Sequence, residues 1–382
     1  MLLPTYPQHP EYSSLLATPV RMHASTAYTG RGIVIAFIDS GFYPHPDIAS
    51  RVLCHADATH TVITEGTRYR RPAWYSWHGQ MTSVIAAGNG CVSNGQYQSL
   101  APDANLVLVK VSNPRKRIKE ADILRGMRWI IDNAQRFKIR IVNLSVGGDF
   151  PSDNPDHPIH QAVRILTRMN IVVVAAAGNS NLPVLIPPAS APEAITVGGI
   201  NDHNSPEMTQ WSLYHNNYCE TPDGSFKPEI LAPAAWIASP FVPGTKAARE
   251  AYWLGQILKA KDDETTVNRL IQAGCAELGL SRRAAAKPNE HIFAKLQAQL
   301  AAHKVVDANY QFVDGTSVAA AIVSSVAAQI LEANPRLSPQ EVKFLMMTAA
   351  KQLPNAPLEM QGAGVIDAFS SVQLAAMTAT PS

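Results

Sequence analysis

At 382 residues and 46% hydrophobic content, the chain can bury a full core, is long for one compact domain, and lacks the low-hydrophobicity composition of a disordered protein. Lys plus Arg number 32 and Asp plus Glu 30, a formal net charge of +2 that gives no reason to expect nucleic acid or another polyanion as partner. With no continuous apolar window of about 18 residues, no membrane partner is expected either. The four cysteines, Cys54, Cys91, Cys219 and Cys275, are widely spaced and form no CxxC pair, a pattern that fits reduced thiols, although two bridges remain open on counts alone. The first residues, MLLPTYPQHPEYSSLLATPV, show neither a basic segment before an apolar stretch nor a small-residue cleavage pattern, so a cytoplasmic location is expected.

Along the chain, Ile33 to Ile38 is an apolar, β-branched run of strand length that ends in Asp39-Ser40-Gly41. A helical pattern follows from His78 to Ala87, opened by His78-Gly79. Strand-like runs recur at Leu106 to Val111, Arg140 to Leu144, Ile171 to Ala176 and Ile195 to Gly198, with helical patterns at Ala121 to Phe137 and Ile159 to Met169 between them. The basic run Arg115, Lys116, Arg117, Lys119 reads as a solvated loop, with recognition of acidic substrate side chains as the sharper alternative. Alternation of strand and helix implies right-handed βαβ units, hence an α/β fold with a doubly wound, mostly parallel sheet covered on both faces as the middle of three layers. Ligands of such sheets gather at the carboxyl ends of strands, where Asp39, Asn143-Leu144-Ser145 and Gly178-Asn179 stand.

After Lys227 to Pro233, residues 241–306 carry three helical patterns, near Ala247 to Lys261, Thr265 to Leu280 and Glu290 to Val306, separated by Asp262-Asp263 and Pro288-Asn289. We read them as an inserted helical subdomain whose apolar positions, including Leu254, Ile257, Leu258, Leu270, Ile271, Leu296 and Leu300, form its own core or a docking face. The segment FVDGTSVAAA then opens a helix from Thr316 to Ala333, and Ser338 caps another from Pro339 to Ala350. The domain organisation expected is an extension at 1–20, a main domain at 21–240 and 307–382, and the insertion at 241–306.

An acid ending a strand and a histidine and a serine each starting a helix supply an orienter, a base and a nucleophile: Asp39, His78 and Ser317. A serine hydroxyl is a poor nucleophile at neutral pH and needs a base to take its proton. Taken singly, each has an ordinary reading: Asp39 as a strand-end carboxylate binding ribose or metal, His78 as a satisfied structural histidine, Thr316-Ser317 as a helix cap. In the order Asp, His, Ser, and with these flanks, the segments resemble the subtilisin-like serine peptidases over roughly residues 20–240 and 307–370. The resemblance implies a serine endopeptidase acting on peptide or protein substrates. It also carries over Asn179, in IVVVAAAGNS, as an oxyanion donor alongside the Ser317 N–H, although Gly178-Asn179 alone reads as a turn. By position it implies substrate binding by Asn143, Leu144, Ser145, Val146 and Gly147, mainly through the main chain, with Pro188 on the far wall of the specificity pocket and an apolar or broad preference. For Asn143 to Gly148 the ordinary reading is a strand end with a glycine turn.

Three departures stand out. Gln80 follows Gly79 where the family has Thr, and Ala321 and Ile322 stand where it has a Pro-His pair, a loss expected to alter how the serine helix starts. They leave open an inactive relative that binds peptides or a protein partner through its cleft and insertion. In place of a folded pro-domain there is Leu2-Leu3-Pro4-Thr5-Tyr6, similar to a Leu-Ile-Pro-Tyr motif that lies across the active site in cytosolic members. We expect this segment to be a cleavable self-inhibitor or a disordered apolar tail. The chemistry requires no cofactor. Calcium often braces the family, but Asn89 to Gln98, in the place of one such loop, has no carboxylate, so the metal stays open.

Overall fold

The computed structural model of the chain describes every residue except 1, 10, 13, 67–71, 74, 114–116, 222–223 and 380–382. Runs such as Val34-Ile35-Ala36-Phe37-Ile38 have no polar face, so they form strands only where both sides are covered. The strands that follow from this are β1 (Val34–Asp39), β2 (Val52–Asp57), β3 (Thr64–Glu65), β4 (Asn105–Lys110), β5 (Ile139–Leu144), β6 (Val172–Ala176) and β7 (Ile195–Asn201). With the strands Ile230–Pro233 and Ser212–Leu213 they make a nine-stranded sheet among the described residues. Its order is Ile230–Pro233, β7, β6, β5, β1, β4, β2, β3, with Ser212–Leu213 beside β7. All pairs are parallel except β2 with β3 and β7 with Ser212–Leu213.

Alternation along each strand divides the core in two. Ile35, Phe37, Leu106 and Leu108 face helices Ser76–Ala87 and Thr316–Ala333. Ala36, Ile38, Val107 and Val109 face helices Glu120–Phe137 and Pro158–Arg168. The fold is therefore three-layered. Thr316–Ala333, though interrupted by Ser, Gln and Glu, is long and apolar enough by length and composition to cross a membrane, but 89% of it is buried inside the molecule, so it is the central core helix. In place of the Pro-His pair, Ala321 is the sixth residue of that helix and fully buried, so its loss of proline falls in the second turn and leaves the helix start unaffected. At Pro339–Ala349, Ser338 and Glu341 form a reciprocal capping box.

Short strands escaped the periodicity. Val52–Asp57 (VLCHAD) carries Cys, His and Asp, and pairs as a strand only because β4 lies beside it. Ile237–Pro240 and Tyr310–Val313 pair antiparallel across the two ends of the insertion, Pro240 opposite Tyr310, and Phe241 N–H donates to Asn309 C=O at 2.9 Å. Between those ends stand four helices rather than three, Lys246–Lys259, Glu264–Ala273, Arg282–Ala286 and Glu290–Ala302. The expected second helix ends at Ala273, before Gly274, where a Cβ would come within 2.5 Å of the Trp253 ring, and Ser281 caps a new turn. Leu254, Ile257, Leu258, Ile271, Leu296 and Leu300 form the insertion's own core, with Leu270 packed against it.

Leu2 is 2% exposed and belongs to that same core. The Leu3 N–H donates to Gln297 Oε1 at 2.7 Å and Gln297 Nε2 returns a bond to Leu3 C=O at 2.9 Å. Tyr6 is buried with Leu15, Tyr97, Tyr310 and Phe312. Residues 2–6 therefore strap the insertion to the main domain. No described hydrogen bond runs from residues 2–6 to Asp39, His78, Ser317 or Asn179, and Leu2 and Tyr6 are packed rather than trailing as a disordered tail.

Candidate active site

β1 ends at Asp39, 1% exposed, at the carboxyl edge of the sheet. His78 is the third residue of helix Ser76–Ala87, whose start is pressed onto the end of β1: a Cβ on Gly79 would lie 2.2 Å from Gly41 C=O, so only glycine allows the approach. The result is a hydrogen bond of 2.7 Å between His78 Nδ1 and Asp39 Oδ1. Asp39 Oδ1 also accepts from Ser40 N–H at 2.6 Å, and Oδ2 from the Thr82 hydroxyl at 3.0 Å. Burial opposes protonation of His78, but the Asp39 charge and the hydrogen bond to it outweigh burial and hold the imidazole above the ordinary histidine range. The exposed Trp77 ring stands edge-on to the imidazole, 5.2 Å between centroids.

Ser317 is the second residue of helix Thr316–Ala333, after Gly315 at φ +135°. A helix start leaves several N–H groups without intrahelical acceptors. Thr316 N–H donates to Asn179 Oδ1 at 2.8 Å, while Val318 and Ala319 N–H turn back to Gly315 C=O. Among the described residues the Ser317 N–H has no protein acceptor. The same contacts orient Asn179: a backbone N–H can only donate, so the end of the carboxamide facing Thr316 is its oxygen, joined at 3.0 Å by the Thr316 hydroxyl. Among the described residues the Nδ2 amide has no protein acceptor, and Asn179 is exposed. Gly178 N–H donates to the Thr316 hydroxyl at 3.1 Å, and Asn217 Oδ1 holds the next loop through Ser180 and Leu182 N–H. None of the described hydrogen bonds joins Ser317 Oγ to the imidazole, a contact that is commonly long in an unliganded cleft and tightens on binding.

The other residues named from sequence divide by side-chain direction. Asn143 is buried, giving Nδ2 to the Ser324 hydroxyl at 2.9 Å and accepting from the Ser145 hydroxyl at 3.1 Å, so its side chain ties β5 to the serine helix rather than facing a ligand. Leu144 is fully buried in the core, and Pro188 is buried too, so a substrate would meet only their main chain. Ser145 and Val146 are half-buried and Gly147 exposed. The opposing segment lies close, with a Cβ on Gly147 meeting Ile186 at 3.4 Å and Gly148 N–H donating to Pro187 C=O at 2.8 Å. Of the basic run, Arg115 and Lys116 lie outside the described residues, while Arg117 and Lys119 are exposed. Gln80 is fully buried and its Nε2 donates to Pro240 and Phe241 C=O at 3.2 and 3.3 Å, which ties the histidine helix to the entry of the insertion.

Beside the loop raised for calcium, a buried carboxylate is already engaged by protein donors. The buried carboxylate there is Asp47, whose Oδ1 accepts from Cys91 Sγ and Val92 N–H, both at 3.1 Å, and whose Oδ2 accepts from the Tyr310 hydroxyl. Three hydrogen-bearing donors thus share the two oxygens of this carboxylate. Among the described residues no three or more His, Cys, Asp or Glu gather as a metal site, and the four cysteines are free thiols.

Sequence reasoning passed over Thr82, Thr316 and Asn217. Thr82 was within reach, because it lies four residues after His78 and so shares its helix face. Nothing in the sequence ties Asn217 to Asn179.

Comparison with known proteins gives the family and the fold. The subtilase family model matches residues 30–364. Serine protease AprX of Bacillus subtilis is 30% identical over 354 residues, 90% of this chain and 67% of its own length. An intracellular serine protease of Paenibacillus polymyxa is 30% identical over 230 residues, 57% of this chain and 61% of its own. Among solved structures, a protease from Pseudoalteromonas arctica superposes with a TM-score of 0.62 at 20% identity, covering 97% of this chain and 100% of its own. Fervidolysin from Fervidobacterium pennivorans gives 0.61 at 18%, covering 92% and 45%.

Proposed function

The chain belongs to the subtilase family of serine peptidases, and from that premise we propose that it cleaves peptide bonds through an acyl-enzyme on Ser317, with His78 and Asp39 completing the relay. Ser317 Oγ attacks the scissile carbonyl carbon while His78 Nε2 takes its proton. Asp39 fixes the tautomer through Nδ1 and stabilises the imidazolium. The oxyanion then draws on Asn179 Nδ2 and the Ser317 N–H. Collapse expels the amine with the proton from His78, and water frees the acyl group by the same steps in reverse. The observation that supports this most is the turn at Thr316: its contacts with Asn179 leave two N–H donors free at the serine while Asp39 holds the histidine at 2.7 Å. The substrate's main chain is assigned to the Ser145-Val146-Gly147 backbone.

The chain spans about two thirds of AprX and less of the other relative, so the substrate class is carried no further than peptide or protein. A cytoplasmic location is part of the proposal, supported by relatives described as intracellular and by the four free thiols. The test is a fluorophosphonate probe, which needs no guessed substrate. Adducts confined to Ser317 and lost in Ser317→Ala are expected. A folded wild-type protein that takes no label would overturn the proposal in favour of a non-catalytic scaffold.

A further inference from the structure

We propose that Thr82 is a positioning residue for the triad, its hydroxyl holding the second oxygen of Asp39 so that the first stays aimed at His78. This rests on the catalytic reading above. Thr82 is fully buried on the face of helix Ser76–Ala87 one turn after His78. One helix therefore carries both groups that grip Asp39: His78 Nδ1 at 2.7 Å on Oδ1 and Thr82 Oγ1 at 3.0 Å on Oδ2. With Ser40 N–H also on Oδ1, the carboxylate has a donor on each oxygen and cannot turn about its Cβ–Cγ bond without losing one.

The hydroxyl has a single proton and two acceptors in reach, Asp39 Oδ2 and Gly79 C=O at 3.1 Å. An ionised carboxylate is the stronger acceptor, so the proton goes to Asp39. This donor draws off Asp39 charge that would otherwise be shared only by the imidazole and the Ser40 N–H. The other charged and titratable groups around the pair are engaged elsewhere or uncharged. Lys110, opposite Asp39 on β4, reaches Asp57 at 2.7 Å on β2 and lies over the Tyr75 ring. His55 on β2 is buried and packs on Phe42, burial pushing its pKa down to about 3 and so keeping it neutral. On β5 the charged group is Arg140, bonded to Pro335 and Leu337 C=O, and on helix Thr316–Ala333 it is Glu332, bonded to the backbone of Thr29 and Gly30. Thr82 is thus the polar side chain, besides His78, that sets the charge on Asp39.

Removing the hydroxyl concentrates the Asp39 charge on His78. The imidazolium gains, its pKa rises, and the acid limb of the pH–rate profile moves to higher pH, because the base must be neutral to act. Thr82→Val keeps the shape and removes the donor. We expect its kcat to fall by about tenfold with KM nearly unchanged, and its acid limb to move up by roughly half a pH unit. Thr82→Ser should restore both. A purely structural role would lower melting temperature and leave the limb in place. The measurement is kcat and KM from pH 5 to 10 on a fluorogenic peptide, with melting temperature, for wild type, Thr82→Val and Thr82→Ser. Thr82→Ala stands in should the valine variant not fold. Unmoved limbs in an active wild-type background would show that the proton goes to Gly79 and would overturn the proposal alone; wild-type protein that neither turns over nor takes the fluorophosphonate label would overturn the catalytic reading with it.

Discussion

The catalytic edge of the sheet and the helical insertion are built on opposite plans. At the edge, each functional group stands near the end of a strand or the start of a helix, and bonds of 2.6–3.0 Å fix its side chain directly: Ser40 and Thr82 on Asp39, Thr316 on Asn179. The insertion instead has its own core and meets the rest through the pairing of Ile237–Pro240 with Tyr310–Val313, Gln80 on Pro240 and Phe241, and the strap of Leu2 and Leu3. The difference separates what chemistry requires from what placement requires. The edge needs geometry good to a fraction of an ångström, whereas the insertion needs only to stay docked.

Breaking the edge should cost activity without cost to folding. Asn179→Ala removes the exposed amide, and kcat should drop roughly 10²–10³-fold with KM little changed; that magnitude is carried over from the equivalent donor of a family member. Equal losses in kcat and melting temperature would instead make Asn179 a mere brace for the Thr316 turn. The edge also sets the working pH. With His78 held above the ordinary histidine value of 6.5 by Asp39, kcat/KM should rise with pH through a limb lying above 6.5, and activity below that limb should be lost as the imidazole protonates. A limb below 6.5 would mean that burial, not Asp39, dominates.

Breaking the strap should do the reverse. Leu2→Ala should cost about 2–3 kcal/mol, read as a lower melting temperature and faster amide exchange across 246–302, with the labelling rate at Ser317 unchanged. Faster labelling of Ser317 would support the self-inhibitor. The smallest effect expected is none. Because Asp47 is already satisfied by Cys91, Val92 and Tyr310, chelation with EDTA should leave the melting temperature where it is, and a fall of several degrees would show a cation site.

The departures at Gln80 and Ala321 show how far a family pattern carries. From sequence both counted towards an inactive relative, yet Gln80 ties the histidine helix to the insertion and Ala321 supplies an ordinary turn of a buried helix. The sequence by itself determined the strand-ending Asp39, the helix-starting His78 and Ser317, and the parallel sheet, because strand and helix periods and helix-start chemistry are local and repeat along the chain. Only the tertiary structure decided that Thr82 and Asn217 serve the site, that Asn143 faces Ser324, and that Leu2 belongs to the insertion. Each of these joins segments through a side-chain direction or a gap of up to hundreds of residues, and no local period encodes which of two faces meets which neighbour.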